Sequence, residues 1–417
     1  MQTIQHFIET AIQNHVLDIE HSDYKQIETI IGRKRVEKLS FYLESSQEEL
    51  FELLLKEILE NNEQIERDIL SLIPKEEPTE SIEKEMNPEG KTCTIFYGTN
   101  REPNDINDIS KGYGNGRSKK LHLGSCQVHV PKSHNIGELS GSLWNKLIHF
   151  DFSYGAVELK TIQSLEDYSF WEEISTLFNP LEEEEKQAIV FIHGFNTSFE
   201  EAAIRATQIS VDVQHTGVTA FFSWPSKGKP LSYLSDEATV QYSEKFLTEF
   251  LIDFAQKSGA NRVHIIAHSM GNRALLEAVN RIQREAPEIQ FGQIILAAPD
   301  VDADVFEELA QAYTLLSEQT TLYVSEKDKA VGVSKWLHSH ARAGFTPPLC
   351  IVNQINSVEV ESIVRVLELG HGYFAGHKTI LSDMYQLMQF NLDANNREYL
   401  LPKELNQFNR YWKLRSV

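Results

Sequence analysis

One stretch, Arg262 to Gly271, limits what this chain can fold into more than any other. Val263, Ile265 and Ile266 are apolar and β-branched, which reads as a buried strand. The strand runs without a spacer into Ala267-His268-Ser269-Met270-Gly271, and Asn272 to Ile282 then reads as a helix. So sharp a turn brings neighbouring backbone close, so small residues are needed two places before and two after Ser269. Ala267 and Gly271 meet that need, with Ala267 standing where glycine is the commoner residue. A serine on such a turn is held up at the end of a parallel sheet, within reach of groups from other strands. A helix-capping serine would leave a similar trace. The rest of the chain must therefore supply partners if Ser269 does chemistry.

Around this stretch the pattern alternates. Ala188 to Ile192 reads as a strand, Phe199 to Val213 as a helix, Val218 to Phe222 as a strand and Ala238 to Lys257 as a helix. After the turn come a strand at Ile294 to Ala298, a helix beyond Asp304, strands at Thr320 to Val324 and Ile355 to Val360, and a closing helix from Thr379 to Phe390. Repeated βα alternation with unbroken apolar strands predicts an α/β fold whose mostly parallel sheet is covered by helices on both faces. Upstream, Thr92 to Tyr97 is a first strand ending in Gly98-Thr99-Asn100-Arg101, and a polar, glycine-containing surface loop is expected from there to Lys120. Leu121 to Val130 and Phe152 to Ile162 read as further strands, and Trp171 to Leu177 as a helix. The acidic run Glu182 to Glu185 needs no explanation beyond solvation.

The N-terminal region is different. Ile4, Phe7, Ile8, Ala11 and Ile12 share one helical face, as do Leu50, Leu53 and Leu54, and Ser46 with Glu49 has capping-box spacing. Pro74 to Lys91 mixes Pro74, Pro78, Pro88 and Gly90 with charge, a linker composition. The expected division is a helical region at 1–73, a linker at 74–91 and an α/β domain at 92–417. The charged residues among the helical apolar ones read as a solvated face. A protein partner or self-association through these helices is the alternative.

Composition narrows the function classes. Lys and Arg number 39 against 61 Asp and Glu, a formal charge of -22, which argues against a nucleic acid or an anionic membrane surface as partner. No apolar run approaches the roughly 20 residues of a membrane span, and Met1 to Glu9 lacks the pattern of a secretory signal. Cys93, Cys126 and Cys350 are far apart and lack metal-ligand spacing, so free thiols in a cytoplasmic protein are expected.

A serine hydroxyl is a weak nucleophile and needs a base, an acid to orient it and donors for an oxyanion. The apolar run to Ile192 ends in His193-Gly194-Phe195-Asn196, whose glycine lets the backbone turn; the N–H groups of Phe195 and Met270 are the expected oxyanion donors. His193 precedes the serine and reads as a structural histidine. For the acid, Asp328 follows the Thr320 to Val324 strand, with Asp300 as its rival. For the base, His371 lies between Gly370 and Gly372 before the closing helix; His377 is the alternative, and His338 and His340 lie in an insertion. Asp300-x-Asp302-x-Asp304 has only a superficial likeness to a calcium loop, because Val305 and Gln311 stand where glycine and glutamate are needed. Surface charge or helix capping accounts for it better, and no metal or cofactor site is expected. Trp224 and Tyr373 either line a substrate pocket or are core aromatics.

Taken together, Phe96-Tyr97-Gly98-Thr99-Asn100-Arg101, Phe191-Ile192-His193-Gly194-Phe195-Asn196, Phe222-Ser223-Trp224-Pro225-Ser226, the Ser269 pentapeptide and Leu369-Gly370-His371-Gly372-Tyr373-Phe374 resemble the α/β-hydrolase superfamily, and within it a group of bacterial esterase- or lipase-like proteins. The resemblance covers the chain from about Thr92 onward and implies Ser269 as nucleophile, Asp328 as acid and His371 as base. It implies a serine hydrolase, with a carboxylesterase acting on a small-molecule or lipid ester as the leading reading. Thioesters, amides and lipid acyl chains remain open because the triad does not choose the substrate. A hydrolase-shaped interaction protein, recruiting a partner through its N-terminal helices, is the non-enzymatic rival.

Overall fold

A computed structural model describes residues 90–131, 157–227, 232–325, 340–360, 378–406 and 409–415. All belong to one compact unit, Gly90–Ser140 with Gly155–Val417. The expected helical region at 1–73 and nearly all of the expected linker lie outside the described residues.

In chain order the elements are β1 (Lys91–Pro103), β2 (Tyr113–Val130), β3 (Glu158–Leu165), α1 (Asp167–Phe178), β4 (Gln187–Ile192), α2 (Phe199–Asp212), β5 (Val218–Ser223) and α3 (Tyr233–Lys257). There follow β6 (Arg262–His268), α4 (Gly271–Glu285), β7 (Phe291–Ala297), α5 (Ala303–Leu309), α6 (Gln311–Leu316), β8 (Ser317–Val324), β9 (Ile355–Glu359), α7 (Lys378–Phe390), β10 (Leu400–Glu404) and β11 (Arg410–Leu414). Short 3-10 turns lie at Ile109–Lys111, Glu183–Glu185 and Ala394–Asn396.

The described strands form one sheet of eleven in the order β10-β11-β9-β8-β7-β6-β4-β5-β1-β2-β3. From β1 across to β11 every neighbouring pair is parallel, and antiparallel pairs occur at the rims, β1 with β2, β2 with β3, and β10 with β11. The central strands have the composition of a sheet covered on both faces: Gln187–Ile192, Val218–Ser223 and Phe291–Ala297 are buried at every position. At the rim, β3 has no buried residue and mixes half-buried with exposed ones.

Helix placement follows from local chemistry. Ser198 caps α2 reciprocally, its Oγ accepting from Glu201 N–H at 3.2 Å while its own N–H donates to the Glu201 carboxylate at 2.6 Å. Between α1, α3 and the sheet lies an aromatic cluster in which Phe250 meets Phe170, Phe222 and Phe254, and Phe96 meets Phe170 edge-on at 5.6 Å. Such pairs contribute about 0.5–1.5 kcal/mol each beyond their buried area. On the other face α7 is tied to the sheet by polar groups. Tyr323 of β8 donates to Asp383 of α7 at 2.5 Å, and Arg397 pairs with the same carboxylate at 3.4 Å, with both charged side chains fully buried.

Two expectations need correction. The expected surface loop up to Lys120 is mostly strand: β1 continues to Pro103 and β2 starts at Tyr113, the two pairing past an irregularity through Arg101 with Arg117 and Pro103 with Tyr113, with only a short turn between them. Nor does the helix ending at Phe390 close the fold, because the hairpin of β10 and β11 extends the sheet beyond β9. Elsewhere the alternating elements fall where the pattern places them, with ends shifted by a few residues.

Candidate active site

β4, β5, β6 and β7 are neighbours in the sheet, and their carboxyl ends deliver His193, Phe195, Trp224, Ser269 and Asp300 to one rim. Ser269, between β6 and α4, has φ 49°, a left-handed conformation that costs a residue with a Cβ about 1–2 kcal/mol. Backbone bonds hold it there. Ser269 N–H donates to Ala297 O at 2.9 Å, and Ser269 O accepts from Asn272 N–H at 3.1 Å and from Asp300 N–H at 3.2 Å. The Asn272 side-chain amide adds bonds to Ala267 O and Ser269 O, each 3.1 Å long. Ser269 is itself buried.

The demand for small residues has a measurable basis. A Cβ on Gly271 would lie 2.4 Å from His193 O, which is backbone and cannot swing away. A Cβ on Gly194 would lie 2.9 Å from Ser269 Cβ and 2.9 Å from His268 Nδ1. The loop after β4 therefore rests directly against the turn that carries the serine. Phe195 and Met270, the two expected oxyanion donors, are the residues that follow each side of that contact.

His193 is buried between these loops. Nδ1 lies 2.8 Å from Gly194 O, and Nε2 faces Arg101 Nη2 at 3.3 Å and Trp224 O at 3.1 Å. A guanidinium can only donate and Gly194 O can only accept, so Nε2 is the accepting nitrogen and the single proton of the neutral ring belongs on Nδ1, while Trp224 O takes its bond from Ser226 N–H at 2.7 Å. Burial, and then the Arg101 charge, push its pKa down to about 3. A ring that resists protonation so strongly is unsuited to act as a base near neutrality. The structure thus gives His193 a bracing place.

Trp224 takes the core role of the two open to it. It is fully buried, stacks on His193 with ring centroids 5.0 Å apart, and its indole N–H is committed to His193 O at 2.8 Å. Its faces and its polar atom brace the loop, which corrects the expectation of a pocket-lining tryptophan.

Asp300, the rival acid, follows β7. Its buried carboxylate accepts from Tyr233 Oη at 2.5 Å and Arg273 Nη2 at 3.3 Å, and pairs with Arg342 Nε at 3.5 Å. Arg273 also donates through Nε to Asp300 O at 2.6 Å and pairs with Glu237. Two guanidiniums and a phenol on one carboxylate make Asp300 an anchor between α3, α4 and the segment around Arg342. Tyr233 in turn meets Phe195 edge-on at 5.4 Å, so this anchor reaches the loop after β4. Asp302 caps α5 by accepting from the N–H groups of Asp304 and Val305, the capping role expected of the acidic cluster. Asp328, His371, His338, His377 and Tyr373 lie outside the described residues; His340 is exposed.

Sequence reasoning assigned no role to Arg101, at the end of a quoted motif, and overlooked Tyr233, Arg273 and Arg342. Arg101 is buried, and desolvation lowers its pKa to about 9 despite the opposing Asp236 and Glu201 charges. An arginine closing an apolar strand was the available signal. The partners of these groups come from distant segments, and no spacing announces them.

Comparison with known proteins places the chain. An uncharacterised protein of Nostoc sp., alr1448, is 27% identical over 140 residues, covering 27% of this chain and 36% of that protein, so the match spans little more than a third of the relative's length. A predicted CIB-like hydrolase from Thermoplasma acidophilum is similar in structure over 51% of this chain and 90% of its own, at 17% identity and a TM-score of 0.33. Residues 172–389, more than half of the chain, match the family described as alpha/beta hydrolase of unknown function (DUF900). The protein is a member of that alpha/beta-hydrolase family.

Proposed function

We propose that the protein is a serine hydrolase acting on carboxylic esters, with Ser269 as nucleophile. The observation that carries this reading is the left-handed Ser269 at the end of β6, with Gly194 of the neighbouring loop packed on its Cβ. Strained backbone at a buried, partner-rich position is retained where it serves a site. The base and acid of this reading are His371 and Asp328, carried over from the resemblance and from their order along the chain.

In the proposed reaction the Ser269 hydroxyl oxygen bonds to the ester carbonyl carbon while its proton passes to His371. Asp328 keeps the imidazole aligned, and the N–H groups of Phe195 and Met270 receive the negative charge on the carbonyl oxygen. Collapse breaks the bond to the alcohol, which leaves with the proton held by His371. Water then repeats the sequence on the acyl-enzyme and frees the acid and Ser269. No metal or organic cofactor enters these steps.

The test is labelling by a fluorophosphonate probe, with turnover of chromogenic esters of graded chain length, for wild type and Ser269→Ala. Labelling and turnover in the wild type, and neither in the variant, are expected. A wild type that fails to label, or a variant that labels equally, defeats the reading.

A further inference from the structure

We propose that Arg101 is the positioning residue of the oxyanion side of the site, binding the start of β2 and the loops after β4 and β5 into one support for the Phe195 N–H. This rests on the roles proposed for Ser269 and Phe195. Every guanidinium N–H of Arg101 has its own acceptor. Nε donates to Ser223 Oγ at 2.8 Å; Nη1 donates to Gly114 O at 3.1 Å and Ser226 O at 3.2 Å; Nη2 donates to Thr197 O at 2.7 Å and His193 Nε2 at 3.3 Å. These acceptors belong to separate segments: the start of β2, both ends of the loop after β4, and the end of β5 with the turn beyond it.

The residues beside Arg101 complete the arrangement. Thr99 Oγ accepts from Arg101 N–H at 3.1 Å and donates to Ser223 O at 2.5 Å. Asn100 reaches Ser243 of α3 at 3.0 Å. Thr197 is gripped twice, since its O accepts from Arg101 and its N–H donates to Ser226 Oγ at 3.3 Å. Ser226 Oγ donates in turn to the buried Asp236 carboxylate at 2.8 Å, which places a countercharge one residue from the guanidinium's acceptor.

Phe195 lies between His193 and Thr197, both held by the same Nη2. His193 is also clamped by the stacked Trp224, and Gly194 touches Ser269. The Phe195 N–H is thus suspended between two points fixed by one side chain. Its distance from the serine depends on that side chain remaining a five-donor fork, which lysine cannot reproduce. Three motifs that the catalytic reading leaves idle, Thr99-Asn100-Arg101, His193 and Ser223-Trp224-Pro225-Ser226, become parts of a single brace.

The test uses the full chain, with p-nitrophenyl butyrate as substrate and a trifluoromethyl ketone as reversible inhibitor. The ketone adds to the serine and places its oxyanion where that of the reaction would lie. Arg101→Lys is expected to lower kcat roughly 10- to 100-fold, the effect of shifting or losing one oxyanion donor, with KM held within about twofold. Ketone affinity should fall in proportion to kcat. A folded Arg101→Lys with wild-type kcat overturns the proposal, and so does a loss carried by KM, or one that leaves ketone affinity unchanged. If Arg101→Lys does not fold, Ser223→Ala decides: it removes the Nε acceptor and, with it, the hydroxyl contact to His193 Nε2 at 3.3 Å, and should lower kcat and ketone affinity together by roughly 3- to 10-fold, while unchanged values overturn the proposal. Failure of the wild type to label with fluorophosphonate is a separate result that removes the serine reading, and this proposal with it.

Discussion

Protonation of His264 should set part of the acid sensitivity of this fold. The residue is fully buried in β6. Its Nδ1 accepts from Gln293 N–H at 2.9 Å, which puts the ring proton on Nε2, where it is donated to Gln187 Oε1 at 3.0 Å. A second proton would have to sit on Nδ1, facing an N–H donor, and would bring a charge into the sheet. Burial, followed by the charges of His215 and Arg262, pushes its pKa from 6.5 down to about 3. Because the folded value lies below the unfolded one, the unfolded chain binds the proton more readily. The stabilisation is complete above the unfolded value and is lost as pH falls from 6.5 toward 3. At pH 5 the loss amounts to about 2 kcal/mol, from about 1.4 kcal/mol per pH unit over about 1.5 units. Urea unfolding of wild type and His264→Gln at pH 7.5 and pH 5 measures it. The variant has no imidazole to titrate, so its stability deficit relative to wild type should shrink by about 2 kcal/mol at the lower pH. A deficit that stays the same at both pH values would refute the reasoning.

Two further outcomes follow from the geometry. Gly271→Ala forces a Cβ against His193 O, and should cost about 1–3 kcal/mol of stability and most of the fluorophosphonate labelling; a variant that labels at the wild-type rate contradicts the close contact. Asp383→Ala leaves the buried Arg397 without its carboxylate and should destabilise by about 3–5 kcal/mol in thermal unfolding, whereas Asp383→Leu combined with Arg397→Met should cost clearly less. Simple additivity of the two sites would argue against the pair.

The interior of the sheet was legible because its chemistry repeats. β4, β5 and β7 are apolar along nearly their whole length, so both the strands and their covering by helices follow from composition. The turn at Ser269 was legible for a related reason, since steric crowding dictates small residues at fixed offsets. The rims were not. The first half of β2, Tyr113 to Lys120, is polar and glycine-containing and becomes strand through its pairing with the tail of β1. β10 carries Pro402, Lys403 and Glu404 on an edge where a missing N–H and charge are tolerated, so it has no strand-like periodicity. The anchors of the site were least visible. Asp300 reads from sequence as the rival acid, and only Tyr233, Arg273 and Arg342 together reveal its ion-pair commitments. Trp224 offered two roles, and its stacking on His193 decided between them.

A guanidinium with all of its donors engaged leaves its surroundings no slack. Arg101, His193 and Ser223 hold one another through Nε and Nη2, so replacing any one strands a donor or an acceptor on the others. Selection would then treat these separated stretches as a single heritable unit. Lineages that drop the arginine should drop the serine and the imidazole as well, and substitution should arrive in concert or not at all.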